Sequence, residues 1–227
     1  MTQNNHQMIV TLESIGDDSS MNIQEGRAML SAEEIKQADA YHFPTHRDRY
    51  IRGRALLRKK LAEMLSCVPA EITIEKGTYG KPFVRNSGIA FNLSHSEDLA
   101  VYAFSDSMDA IGVDIELLDR RVSVDGISEK FFTPGERAEL RKVSEMEKSK
   151  MFFKIWTAKE ARMKLHGDGL NLEPIKIDLV FKEGTPIGFH KPETCDVYLT
   201  VREIQRFNAM LSILGTSEFD LTGANFH

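Results

Sequence analysis

Two carboxylates in the middle of the chain are spaced for metal chemistry. Gly112-Val-Asp-Ile-Glu116 reads as part of a strand over residues 111–117, and successive side chains of a strand point to opposite faces. Asp114 and Glu116 would therefore share one face. Oxygen ligands favour a hard cation, Mg²⁺ or Mn²⁺, which usually also binds the phosphates of a substrate. The alternative is a half-exposed strand with two solvated acids.

A third carboxylate lies on a helical stretch with a lysine. Trp156, Glu160 and Lys164 are four residues apart, so they fall on one stripe of a helix. The stripe could bring Glu160 to the metal and place Lys164 beside a departing phosphate. The alternative is an ordinary Glu–Lys pair on the surface.

A serine-rich motif, Phe91-Asn-Leu-Ser-His-Ser96, ends another predicted strand. Neither Ser94 nor Ser96 has the flanking glycines of the GxSxG turn of a serine hydrolase. Small hydroxyls and an imidazole at a strand end suit phosphate binding. A hydrogen-bonded turn is the competing interpretation.

The predicted elements that carry these motifs occur in the same order twice: a capped helix start, a long helix, then strands. Capping boxes at Ser31–Glu34 and Thr133–Glu136 mark helix starts. Long helices are predicted over residues 46–65 and 147–165, and Arg54–Arg58 in the first aligns loosely with Glu160–Lys164 in the second. Strands are predicted over residues 71–75, 89–93, 99–104, 111–117, 175–181, 197–203 and 209–214.

This repetition predicts an α+β fold, a pseudodimer of two similar α+β halves. The expected halves are residues 1–107 and residues 108–227. A cleft between two such halves is a common place for a ligand.

Composition and charge narrow the class of protein. Hydrophobic residues make up 41% and charged residues 28% of the chain, as in ordinary globular proteins. We find no apolar run of about 18 residues and no signal peptide. Cys67 and Cys195 have no CxxC partner, and we predict that both are free thiols. We therefore expect a cytoplasmic protein.

The charge is unevenly distributed. A net charge of −5 argues against a general nucleic-acid binder, yet residues 46–60 hold seven Lys and Arg against one acid. A basic surface on an acidic protein indicates one specific anionic ligand or partner. The alternative is a solvated helix face.

Six strings follow one another along residues 50–170: YIRGRALLR (50–58), YGKPF (79–83), FNLSHS (91–96), GVDIE (112–116), FFTPGE (131–136) and WTAKEARMKLHGDGL (156–170). Together, in this order, they resemble the Sfp-type family of 4′-phosphopantetheinyl transferases. The resemblance implies a pseudodimeric fold and the transfer of phosphopantetheine from coenzyme A to a serine hydroxyl of an apo carrier protein of acyl, polyketide or peptidyl type, which releases adenosine 3′,5′-bisphosphate.

The same resemblance implies that residues 1–107 bind coenzyme A and could also bind the carrier protein, and that residues 108–227 hold the metal site and the catalytic helix. Asp114, Glu116 and Glu160 would surround Mg²⁺, with Mn²⁺ as a possible substitute, together with the pyrophosphate of coenzyme A. Lys164 would contact that pyrophosphate. Glu160 would also take the proton of the attacking serine, directly or through a water.

Further positions are implied for coenzyme A. Lys81 and Pro82 would lie along its adenosine, and Ser94 and His95 would bind phosphate. Arg49 is the candidate for the 3′-phosphate, and its neighbours Arg47, Arg52 and Arg54 are the alternatives.

The carrier protein would dock on basic residues of the first long helix, for which composition offers Arg52, Arg58, Lys59 and Lys60. The competing explanation is that this helix serves the 3′-phosphate alone. The resemblance also implies a monomer, because both halves are fused in one chain. We expect neither nucleic acid nor membrane as a partner. The two alternative hypotheses are that the protein is a different Mg²⁺-dependent phosphoryl-transfer enzyme, or that it is a nucleic-acid-binding module that uses residues 46–60.

Overall fold

Two long helices and two antiparallel sheets organise the chain in a computed structural model that describes residues 6–107, 110–167, 172–190 and 197–222. The helices are α1 (Ile23–Ala28), α2 (Ala32–Asp39), α3 (Pro44–Leu65), α4 (Val124–Phe131), α5 (Pro134–Lys142) and α6 (Glu145–Leu165). The strands are β1 (His6–Ser14), β2 (Ile74–Lys76), β3 (Pro82–Val84), β4 (Ala90–Ser96), β5 (Leu99–Ser105), β6 (Ile111–Leu117), β7 (Leu179–Lys182), β8 (Thr185–Phe189), β9 (Tyr198–Ile204), β10 (Ala209–Gly215) and β11 (Phe219–Thr222). Short 3-10 helices cover Pro69–Glu71, Pro174–Lys176 and Gln205–Phe207.

The two main sheets pack against each other. The first has the strand order β11-β1-β5-β4 and the second the order β6-β10-β9. Apolar residues of β1, β5, β6 and β10 form one buried cluster between them. Helix α3 packs on the outer face of the first sheet and helix α6 on the outer face of the second. The α+β class and the two-half architecture expected from the sequence are confirmed.

A polar contact recurs in both halves and fixes each long helix. In the first half, Glu34 closes the capping box of α2 with Ser31 and also accepts a hydrogen bond from the buried Arg58 of α3. The other end of the Arg58 guanidinium donates to the carbonyls of Pro69 and Ile72, at 2.6 and 3.0 Å. Arg58 therefore joins α3, α2 and the 3-10 turn.

The second half repeats the contact with a lysine. Glu136 closes the capping box of α5 and lies 2.7 Å from the ammonium of Lys159, and both side chains are fully buried. Lys159 also donates to the carbonyls of Pro174 and Ile177, at 2.7 and 2.6 Å. We call Glu34–Arg58 and Glu136–Lys159 the two latches. They match Arg58 with Lys159, so the loose alignment of Arg58 with Lys164 was wrong.

Most predicted helices and strands are present, but two strands begin later than predicted, and for the same reason. The segments 71–75 and 175–181 were expected to be strands, but a 3-10 turn that begins at a preceding proline extends into each of them, and the strands β2 and β7 begin only at Ile74 and Leu179. These turns present the carbonyls that the two latches bind. Sequence analysis missed β1, α1, β3, α4, β8 and β11.

The structure describes one of the two cysteines. Cys67 is an exposed free cysteine, whereas Cys195 and motif residues 168–170 lie outside the described residues. Within the described ranges, no helix combines the length and the apolar character needed to cross a bilayer.

Candidate active site between the two sheets

The two carboxylates of β6 are buried where the second sheet meets strand β4. Asp114 and Glu116 are 4% and 8% exposed, so the alternative of two solvated acids is wrong. Val113 and Ile115 face the cluster between the sheets, which places both carboxylates on the opposite face, toward α6. Ser94 and Ser96 of β4 each donate a hydrogen bond of 2.7 Å, to Asp114 and to Glu116 respectively.

Helix α6 brings Lys164 onto the same carboxylate. The Lys164 ammonium lies 2.6 Å from Asp114 Oδ1 and 2.8 Å from Ser94 Oγ. This approach requires Gly112, because a Cβ at that position would lie 2.1 Å from the carbonyl oxygen of Ala161 in α6. The glycine that opens the GVDIE motif thus lets the helix backbone come close to the strand.

Glu160 belongs to the same electrostatic group and is its most open carboxylate. The side chain is half-buried, whereas Asp114 and Glu116 are buried. Burial raises the pKa of Glu160, the negative charges of Asp114 and Glu116 raise it further, and Lys164 lowers it. The sequence stripe Glu160–Lys164 therefore faces the β6 carboxylates, and the alternative of an isolated surface pair is wrong.

The carboxylates suit a divalent cation that shares its ligands with a substrate. Asp114 Oδ2 is buried and has no hydrogen-bond partner among the described residues, which leaves one oxygen of this carboxylate available. Burial raises the pKa of Asp114, although Lys164 and Ser94 oppose the rise, so a cation would relieve the cost of the buried charge. No three His, Cys, Asp or Glu side chains of the described ranges are arranged to hold a metal by themselves. Mg²⁺ would thus also need substrate oxygens.

Two clefts flank strand β4 and share Arg54 and Leu93. The larger has a volume of about 550 Å³ and includes Arg49 and His95 in its wall. The smaller, of about 340 Å³, is lined in part by Lys81, Pro82, Lys164 and Asn92.

The larger cleft combines two of the predicted phosphate-binding residues. Partial burial lowers the pKa of His95, and the positive charges of Lys164 and Arg49 lower it further. Arg49 pairs with Asp98 at 2.7 Å and with Glu97 at 3.2 Å. Ser94, the third predicted phosphate ligand, contributes to the cleft wall, but its hydroxyl already bonds Asp114 and Lys164.

The alternatives to Arg49 are held by other groups. Arg54 pairs with Glu34, Arg47 pairs with Asp48, and Arg52 donates to the Ile15 carbonyl at 3.3 Å. Arg54 nevertheless lines both clefts.

Lys81 has a contact that the sequence did not indicate. Its ammonium donates to the carbonyls of Ile111, at the start of β6, and Leu165, at the end of α6. A residue of the first half thereby ties two elements of the second. Its role along an adenosine stays a prediction, as does that of Pro82.

The docking surface expected on helix α3 needs a correction. Arg58 is 2% exposed and belongs to the first latch, so it cannot meet a partner protein. Of the other candidates, Lys59 is exposed and Lys60 pairs with Glu63 at 3.2 Å.

Three site residues were missed as functional positions. Asn92 Oδ1 accepts a hydrogen bond from the backbone N–H of Val113 at 2.9 Å, Ser96 holds Glu116, and Arg120 lies 2.6 Å from the other Glu116 oxygen. The alternation of polar residues in FNLSHS was a usable signal for the first two.

Comparisons with known families cover most of the chain. A family model described as "4′-phosphopantetheinyl transferase superfamily" matches residues 110–210. A second, described as "4′-phosphopantetheinyl transferase, N-terminal", matches residues 18–107.

Curated proteins with related sequences carry the same description. The chain is 37% identical over 168 residues to the 4′-phosphopantetheinyl transferase HetI of a Nostoc species, which covers 72% of this chain and 70% of that protein. It is 32% identical over 177 residues to the 4′-phosphopantetheinyl transferase AcpT of Escherichia coli, covering 78% and 79% of the two chains. A solved holo-(acyl-carrier-protein) synthase of Bacillus anthracis in complex with coenzyme A is 21% identical and covers 49% of this chain and 97% of its own, with a TM-score of 0.43.

Proposed function

This chain belongs to the 4′-phosphopantetheinyl transferase superfamily and transfers 4′-phosphopantetheine to carrier proteins, and we propose that coenzyme A is the donor and that the reaction occurs at the Asp114–Ser94–Lys164 cluster. The observation that supports this site most strongly is the orphaned Oδ2 of Asp114 beside a lysine. At this cluster the carboxylate of Asp114 would attract a cation, and the ammonium of Lys164 would attract a phosphate.

Asp114, Glu116 and Glu160 are the proposed ligands of Mg²⁺, or of Mn²⁺ in its place. When bound, the ion would act as a Lewis acid on the pyrophosphate of coenzyme A. The burial of Asp114 and Glu116 strengthens their interaction with any cation, because water screens less in a buried site.

Glu160 and Lys164 are the proposed catalytic side chains. The serine oxygen of the carrier protein attacks the phosphorus that bears pantetheine, and the bond from that phosphorus to the bridging oxygen breaks. Glu160 is our candidate to accept the serine proton, directly or through a water, because it is the most open of the three carboxylates. Lys164 neutralises the negative charge that develops on the leaving adenosine 3′,5′-bisphosphate.

Coenzyme A would lie across strand β4 and use both clefts. Arg49 and His95 of the larger cleft are the proposed ligands of its 3′-phosphate, assisted by Ser94. Lys81 and Pro82 of the smaller cleft would flank its adenosine. The lowered pKa of His95 means that the approach of a phosphate would favour uptake of a proton by this imidazole.

The proposal includes a monomeric, cytoplasmic enzyme. Both sheets of one chain contribute to the cluster, Ser94 from the first and Asp114 from the second, so one copy holds all of the proposed residues. A reducing compartment suits the exposed free thiol of Cys67.

The test is the intact mass of an apo carrier protein after incubation with this protein, coenzyme A and Mg²⁺. We expect a gain of one phosphopantetheinyl group that is lost with a chelator. Asp114→Asn should lower the rate by about 10²–10³, because it removes a charge that holds the cation and Lys164. Asp119→Asn is the matched control, since Asp119 is exposed just beyond the same strand.

Each outcome of this test leads to a definite conclusion about the proposed site. Near-normal transfer by Asp114→Asn would remove Asp114 from the mechanism. If carriers from several pathways all fail to gain mass, a coenzyme A titration decides: Mg²⁺-dependent binding would indicate an untested carrier, whereas no binding would overturn the proposed donor site.

A further inference from the structure

Strands β4 and β6 are the edges of two different sheets, yet they lie side by side. The backbone ladder of the first sheet ends at β4, and that of the second ends at β6. Side chains of β4 bridge this junction, on the face of the strand opposite to Phe91, which packs toward helix α3.

The bridge consists of three polar side chains at alternate positions of β4. Asn92 accepts from the Val113 backbone N–H at 2.9 Å, and Ser94 donates to Asp114 at 2.7 Å. Ser96 donates to Glu116 Oε2 at 2.7 Å and accepts from the Leu117 backbone N–H at 3.2 Å.

We propose that Ser96 is a positioning residue for the reaction, which fixes the carboxylate of Glu116 as a cation ligand. The inference rests on the proposed function, in which Glu116 binds the metal. Groups that hydrogen-bond a metal-binding carboxylate orient it, and their loss typically costs about 10–100-fold in metal affinity.

Burial distinguishes Ser96 from the other group that contacts Glu116. Ser96 is 4% exposed, whereas the Arg120 side chain, which lies 2.6 Å from Glu116 Oε1, is 50% exposed. An exposed ion pair is screened by water and holds a side chain weakly. Ser96, tied at the same time to the backbone of β6, therefore sets the orientation of Glu116, and Arg120 can leave without releasing it.

The test measures the affinity of Mn²⁺, used in place of Mg²⁺, in the presence of coenzyme A. Electron paramagnetic resonance of free Mn²⁺ reports binding without any catalytic turnover. Ser96→Ala should weaken Mn²⁺ binding about 10–100-fold, with little change in the coenzyme A concentration that half-saturates the enzyme at saturating metal. Ser96→Cys places a slightly larger and weaker donor at the same position, and its Mn²⁺ affinity should lie between those of wild type and Ser96→Ala.

Ser105→Ala is the matched control. Ser105 is a buried serine of the neighbouring strand β5, but its hydroxyl donates to the Gln7 carbonyl and not to a carboxylate. It should leave Mn²⁺ affinity unchanged. Thermal unfolding of all variants shows whether they fold.

Two results would overturn the inference. Wild-type Mn²⁺ affinity in Ser96→Ala would show that Glu116 needs no orientation by this hydroxyl, and equal losses in Ser96→Ala and Ser105→Ala would show a general packing effect. Failure of the proposed metal site is distinguishable from both, because then the wild-type protein itself would not bind Mn²⁺ with coenzyme A.

Discussion

At the scale of single residues, Lys164 has two partners that constrain its chemistry. Its ammonium lies between Asp114 Oδ1 and Ser94 Oγ, and its side chain remains 30% exposed. The lysine is therefore held at a fixed place on the buried cluster while one side stays open to the smaller cleft. In the proposed reaction, such a preorganised charge would stabilise the transition state more than the bound substrate.

Lys164→Ala should accordingly slow the chemical step more than it weakens coenzyme A binding. We expect a loss of about 10²–10³ in the single-turnover rate with a much smaller change in the dissociation constant of coenzyme A. Rapid-quench single-turnover kinetics and a binding titration separate the two quantities. Lys176→Ala, which removes an exposed lysine that pairs with Glu173, is the control. A normal single-turnover rate in Lys164→Ala would refute the assigned role.

The acidic and basic residues of the site could be predicted from the sequence, but their partners could not. Asp114, Glu116, Glu160 and Lys164 stand out because charged side chains at strand and helix spacing share a face. The burial of Arg58 depends on α2 and on a 3-10 turn that lie far away in sequence. Composition alone therefore assigned it to a docking surface.

At the scale of elements, the latches explain why each long helix has a fixed place. Both capping boxes were readable in the sequence, because the pattern of Ser or Thr followed three residues later by Glu is local. The second use of each Glu, as the partner of a buried cation, is a tertiary contact and left no local signal. The same holds for the 3-10 turns, because they overlap the segments 71–75 and 175–181, in which apolar and polar residues alternate as in a strand.

The first latch makes the fold sensitive to acid. Burial raises the pKa of the Glu34 carboxyl, but Arg54, the Ser31 backbone N–H and Arg58 together lower it more, so this pKa lies below its ordinary value of 4.5. A carboxyl with a lowered pKa in the folded state contributes stability above its unfolded pKa and loses it as the pH falls through the folded pKa.

Glu34→Gln should lower the free energy of unfolding at pH 7 by about 3–5 kcal/mol, because it leaves Arg58 buried without its charge partner. The difference from wild type should shrink as the pH falls below 4.5, because there the Glu34 carboxyl binds a proton more readily in the unfolded chain than in the folded protein. Urea unfolding across this pH range measures both effects. Glu33→Gln, at an exposed neighbouring position, should have little effect at any pH. A difference that does not depend on pH would mean that the ion pair is not its cause.

At the scale of the whole molecule, the last described strand of the chain returns to the first sheet. The sequence predicted two consecutive halves, but β11 (Phe219–Thr222) leaves the second half and pairs in parallel with β1 of the first. Neither strand was predicted. β1 could have been predicted, since the apolar residues Met8 and Val10 occupy alternate positions in the sequence, and both are buried. β11 has only four residues, which is too short for a periodic pattern.

Deleting residues 218–227 should therefore destabilise the first sheet, although these residues follow the second. The deletion uncovers the edge of β1 and removes Phe219 and Leu221, which pack against the cluster between the sheets. Two half-buried apolar side chains and four residues of backbone pairing correspond to a loss of roughly 2–4 kcal/mol in the free energy of unfolding. Deleting only residues 223–227 keeps the β11 pairing and is the control.

Chemical unfolding followed by far-UV circular dichroism measures the loss, and light scattering reports association through the exposed β1 edge. Because the same cluster packs both sheets together, the shortened protein should still unfold in one transition, at lower denaturant concentration. Wild-type stability after the longer deletion would show that β11 does not hold the first sheet. Two separate transitions would show that β11 is what couples the halves, and that the core between the sheets does not suffice for this.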